Sequence, residues 1–78
     1  MDVGLREDLE IACMDALRGD PPGPSVAARL QLAVIGVLTS HGLKGFKVIA
    51  KSDRSGTSVQ ILLRKPDKRV EQVVLTIG

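Results

Sequence analysis

An α+β fold follows from a single change of rhythm along the chain. Up to His41, apolar residues recur three and four positions apart, the spacing of a helix face; after Gly42 they alternate every second position, the spacing of a strand. The alternating part breaks into three runs joined by two short turns. At 78 residues the chain has room for one domain. Residues 1–78 are therefore expected to form one two-layer α+β unit. Two N-terminal helices pack on one face of a three-stranded antiparallel β-meander, in the order α-α-β-β-β.

The first helix is expected over Asp2–Arg18. Leu5, Leu9, Ala12, Cys13, Ala16 and Leu17 make its apolar stripe, while Glu7, Asp8, Glu10, Asp15 and Arg18 lie largely off it. Acids near its start and Arg18 near its end suit the helix dipole, and Gly19 is placed to end it. Ile11 and Met14 fall beside the stripe, where part of the flank is expected to touch another element. Asp20–Pro24, DPPGP, is a stiff connector whose length suits an antiparallel helix pair.

The second helix, Ser25–His41, is the element around which the chain is organised. Ser25 is expected as its N-cap, following prolines that stop any helix running in from upstream. Val26, Leu30, Ala33, Val34, Val37 and Leu38 recur at helical spacing, and Ala27, Leu32 and Ile35 are apolar off that stripe. Such a helix is expected to be covered on more than one side. Its uninterrupted apolar run, Leu32–Leu38, is seven residues, against the roughly 20 that a membrane span needs. Gly42 is placed as its C′ residue.

Three strands follow, over Gly45–Lys51, Thr57–Lys65 and Arg69–Ile77. The turn Asp53–Gly56 sets Phe46 opposite Leu63, Val48 opposite Ile61 and Ala50 opposite Val59, apolar against apolar throughout. A three-residue loop with a bulge at Pro66–Lys68 sets Val59 opposite Leu75 and Ile61 opposite Val73. A two-residue loop would set Ile61 against Gln72. The three-residue loop needs Lys68 in a left-handed conformation, for which lysine is not the ideal residue.

Composition narrows the functional classes. Phe46 is the only aromatic, so the core must be aliphatic. Cys13 is the only cysteine, so no intrachain disulfide forms and no zinc cluster is suggested. This usage and the lack of a signal-peptide pattern point to a cytoplasmic setting. His41, the only histidine, sits where it suits the end of a helix better than it suits general-base work. The chain carries no G-x-x-x-x-G-K-[ST] and no G-x-G-x-x-G sequence. Gly42–Gly45 spells GxxG, which clamps nucleic-acid backbone when it joins two helices; here it joins a helix to a strand and reads as a cap and turn. No enzyme, cofactor, metal or small-molecule substrate is expected.

Charge is divided unevenly. The net charge is +2, yet residues 1–20 hold six acids against Arg6 and Arg18, and residues 41–78 hold eight bases against Asp53, Asp67 and Glu71. Acidic helix and basic sheet are expected to neutralise one another in part or to be solvated. Alternation puts Lys47, Lys51 and Arg64 on the outer sheet face around Ile49, Leu62 and Val74. Arg54, Lys65, Lys68 and Arg69 ring the loops, and Lys44 precedes the first strand. A basic rim around an apolar patch suits a protein partner, a second copy of the chain or, through Lys44, Arg54, Lys65, Lys68 and Arg69, a phosphate backbone. Without aromatics, base stacking is excluded. The last strand, VVLTIG, carries no charge after Glu71, and such an edge invites pairing with another chain. The expected function is thus a protein-interaction or assembly module acting through the sheet edge or outer face, with nucleic-acid-backbone binding as the alternative.

Overall fold

The computed structural model describes residues 3–19, 21 and 23–77. Its elements are α1 (Val3–Leu17), α2 (Pro24–Ser40), β1 (Phe46–Asp53), β2 (Gly56–Arg64) and β3 (Val70–Ile77). The strands form an antiparallel sheet in the order β1-β2-β3. α2 lies on β1 and reaches β2, and α1 packs beside α2. This is the two-layer α+β arrangement the hydrophobic periods predict.

α2 begins one residue earlier than expected. Gly23, not Ser25, is the N-cap, and its carbonyl accepts the Ala27 N–H at 3.1 Å. Pro24 then occupies the first helical position, where its fixed φ fits and its missing N–H leaves nothing orphaned. Ser25 lies inside the helix, exposed. The other end follows expectation. Gly42 (φ +77°) is the left-handed residue; its N–H donates to Thr39 at 3.0 Å and the Leu43 N–H donates to Leu38 at 3.1 Å. These two bonds make a Schellman motif, which occupies carbonyls the helix would otherwise leave unpaired.

Val26, Leu30, Val34 and Leu38 form the buried stripe of α2, all four fully enclosed. Each contributes about 1.5–3 kcal/mol by leaving water. Leu5, Leu9 and Cys13 of α1 join them, with Val48, Val59, Ile61 and Leu75 of the sheet. Coverage of α2 stops there: Leu32 is 70% exposed, and Ala28, Gln31 and Gly36 also face solvent. Two layers supply a sheet beneath the helix and α1 beside it, and the outward side has no neighbour.

α1 ends one residue earlier than expected, at Leu17. Asp2 lies outside the described residues, and no acid occupies the first turn; Glu7 and Asp8 stand further along. Ile11 and Met14 are 60% and 67% exposed, so the expected flank contact is not made at Ile11, while Met14 borders a groove described below. Gly19 (φ +89°) ends the helix as expected.

The sheet register agrees with the predicted pairing at every position named. Phe46 stands opposite Leu63, Val48 opposite Ile61 and Ala50 opposite Val59; Val59 stands opposite Leu75 and Ile61 opposite Val73. Asp53 pairs with Gly56, and Asp53 Oδ1 accepts from the Ser55 N–H at 2.8 Å and the Ser55 hydroxyl at 2.5 Å. In the second turn the Lys68 N–H donates to Lys65 at 3.0 Å and the Lys65 N–H donates to Arg69 at 2.8 Å. Lys68 takes φ +69°. This is the three-residue loop with its bulge, held although lysine has a Cβ to accommodate.

The inner face of the sheet ends in a small polar cluster. Thr57 is buried and its Oγ1 lies 3.0 Å from Ser52 Oγ, which accepts the Gly23 N–H at 3.3 Å. A connector residue that begins α2 is thereby tied to the far end of the β1–β2 hairpin.

Candidate interaction surface

The register settles which side chains share the outer face. Lys47, Ile49 and Lys51 on β1 align with Leu62, Gln60 and Ser58 on β2, and these align with Gln72, Val74 and Thr76 on β3. Ile49 and Val74 therefore each stand on a diagonal from Leu62, about 7–8 Å away, and flank Gln60 in one row. Val74 is 54% exposed, and Ile49 and Leu62 are half-buried. Lys47, Lys51 and Arg64 are exposed. All six residues assigned to this face from alternation lie on it.

The predicted ring of bases resolves into a pole. Arg64 and Lys47 stand at the end of the sheet where β1 begins, together with the Lys65–Arg69 turn; Lys44 precedes β1 at the same end. Lys51 and Arg54 stand at the opposite end. Some of the polar charge is compensated locally: Lys65 Nζ lies 3.5 Å from Glu71 Oε2, and Arg69 Nε lies 3.6 Å from Asp67 Oδ2. The nearby Lys65 ammonium holds the Glu71 carboxyl below its ordinary 4.5. Two ion pairs on α1 and the turn that ends it are also local, Arg6 with Glu10 at 3.4 Å and Arg18 with Asp15 at 3.7 Å. They join near neighbours in sequence rather than the acidic helix to the basic sheet.

The free edge of β3 is the other part of the surface. In an antiparallel ladder, directly opposed residues alternate between exchanging both backbone hydrogen bonds and exchanging none. The Lys65–Arg69 bond fixes the phase. Glu71, Val73 and Leu75 therefore turn their N–H and C=O groups to β2, while Val70, Gln72, Val74 and Thr76 turn theirs to the open edge. Beside that edge runs a groove of about 250 Å³ between β3 and α1, lined by Arg6, Glu10, Cys13, Met14, Val74, Leu75 and Thr76. Sequence alternation identified the outer face; it could not reveal which backbone groups are unpaired, because that depends on the bonding of the turn.

The remaining candidates for chemistry have structural partners. His41 Nε2 lies 2.7 Å from Asp8 Oδ2 at the surface between the two helices, a pairing that spacing alone did not suggest. Cys13 is buried, and burial first, then the charge of Glu10, pushes its thiol above the ordinary 9.0. A thiol held protonated is a packing group and a poor nucleophile. Among the described residues there is no cluster of three or more His, Cys, Asp or Glu placed to hold a metal ion, and no helix long and apolar enough to cross a membrane.

Together these features define a small α+β domain with an apolar, basic-rimmed sheet face and an open strand edge. No family model, no curated protein and no solved structure matches the chain.

Proposed function

We propose that this chain is a non-enzymatic protein-interaction or assembly module that works through the β3 edge and the adjoining outer sheet face. The observation that carries the reading is the edge itself. Outward-facing backbone groups on Val70, Gln72, Val74 and Thr76 border a stretch with no charge after Glu71. Natural edge strands are commonly protected by charge, proline or a covering element; along Gln72–Thr76 none of these is present among the described residues. A small domain of this size also gains stability from association. Light scattering on a gel-filtration eluate, across a range of concentrations and at two salt concentrations, tests it. An oligomer indifferent to salt supports the reading; a monomer at all concentrations opposes it.

A second reading, binding of a nucleic-acid backbone, is favoured by the gathering of Lys44, Lys47, Arg64, Lys65, Lys68 and Arg69 at one end of the sheet. Such binding would weaken steeply as salt rises. Adding a short mixed-sequence duplex DNA to the same experiment separates the two readings. A shift at low salt that charge reversal of Lys44, Lys47 and Arg64 abolishes would favour this one.

A further inference from the structure

We infer that the partner of the β3 edge is a second copy of this chain, paired antiparallel about a two-fold axis through Val74, so that two three-stranded sheets become one of six strands. The inference rests on the assembly reading and specifies its interface. Among the described residues of β3, Val70, Gln72, Val74 and Thr76 present backbone groups outward, so hydrogen-bonded pairs across the seam join these residues to one another. A two-fold on Val74 sets Val74 opposite Val74 and Gln72 opposite Thr76 on the outer face, and Val73 opposite Leu75 on the inner face. Apolar residues meet apolar ones and the two polar residues meet each other, the pairing that stabilises a sheet. A two-fold on Val73 would instead set Gln72 opposite Val74 and Glu71 opposite Leu75.

Charge is consistent with a self-partner. No charged residue lies between Glu71 and the axis or beyond it on β3. The two charges that border the groove, Arg6 and Glu10, are paired with each other at 3.4 Å. Doubling this surface therefore opposes no like charges along the strand. The seam supplies about six backbone hydrogen bonds, two from each of Gln72, Val74 and Thr76. It also joins the inner faces at Val73 and Leu75, extending the core across the axis.

Four variants of the full chain test the axis. Val74→Pro removes an outward N–H and none of the bonds to β2; proline is tolerated at such edge positions. Light scattering should show the mass falling twofold, to the 8.3 kDa of a single chain. Should Val74→Pro fail to fold by circular dichroism, Val74→Lys sets two like charges opposite each other and should give the same halving. Val74→Cys places two thiols on the axis with Cα atoms about 5.5 Å apart, within the range a disulfide spans. It should oxidise to a covalent dimer. Gln72→Cys should not, since two copies of residue 72 stand about 14 Å apart, and the parent chain, with Cys13 buried, is the control. A dimer that survives both Val74→Pro and Val74→Lys and does not cross-link through position 74 overturns this interface and leaves the assembly reading standing. A parent chain that is monomeric throughout overturns both.

Discussion

His41 Nε2 lies 2.7 Å from Asp8 Oδ2, joining the C-cap of α2 to the second turn of α1 across 33 residues of sequence. The pair bridges the two antiparallel helices at the end remote from the connector. Asp8 is about half exposed and His41 less so, which places the pair nearer a surface ion pair than a buried one. The expected coupling energy is about 0.3–1 kcal/mol. Urea unfolding of His41→Ala, Asp8→Ala and the double variant measures it directly; single-variant losses that simply add would mean that the contact contributes nothing.

Thr57 is the buried polar residue among the described residues, and its hydroxyl has a partner in Ser52. Thr57→Val keeps the shape and deletes the hydroxyl. The expected loss is about 0.5–1.5 kcal/mol, the usual net value of one hydrogen bond. Ser52→Ala should cost more than this, because it also leaves the Gly23 N–H at the start of α2 without its acceptor. The double variant should lose less than the sum of the two, since neither hydroxyl then remains to be satisfied. Denaturant midpoints for the three chains, at constant m-value, decide it.

The parts of this fold that were legible in the sequence are those where one physical requirement dominates. Strand register was legible because the two turns allow few loop lengths, and alternation rejects those that set apolar against polar, as a two-residue second loop would set Ile61 against Gln72. The same alternation placed Lys47, Ile49, Lys51, Leu62, Arg64 and Val74 on the opposite side. The start of α2 was not, because two start signals stand side by side: Ser25 can cap and Pro24 can begin a helix, and only the backbone of Gly23 decides between them. Leu32 reads as core by its chemistry, yet whether it is covered depends on how many layers 78 residues can supply. Asp8 and His41 carry no mutual signal at their separation, and the unpaired backbone of Val74 is invisible until the Lys65–Arg69 hydrogen bond sets the phase of the ladder.

Lys68 holds φ +69° in the β2–β3 turn, a conformation that costs a residue with a Cβ roughly 1 kcal/mol and glycine almost nothing. Lys68→Gly relieves that strain, against a small loss from the greater freedom of glycine in the unfolded chain. The net effect is a stabilisation of up to about 0.6 kcal/mol, the roughly 1 kcal/mol of strain less the about 0.4–1 kcal/mol that the freedom of glycine costs, equivalent to a rise in Tm of up to a few degrees for a domain of this size. Lys68→Val, branched at Cβ, should move Tm the other way. A thermal scan of the three chains checks both signs; equal melting points would show that the turn does not resist a side chain here.

Cys13 provides the alkaline limit. Its thiol is raised from the ordinary 9.0, chiefly by desolvation in the core and secondarily by Glu10. The folded state therefore holds the proton more tightly than the unfolded state does. The stability this contributes is fully present below pH 9.0 and is lost as pH rises through the folded value. Two outcomes follow. At pH 8 an aromatic disulfide reagent should label the native chain far more slowly than the urea-unfolded chain. Above pH 9.0, unfolding free energy should fall more steeply for the parent than for Cys13→Ala, whose core has no thiol to ionise. Parallel slopes in that window, with rapid native labelling, would mean that Cys13 is reached by solvent through the groove between α1 and β3 and is not enclosed by Leu9 and its neighbours.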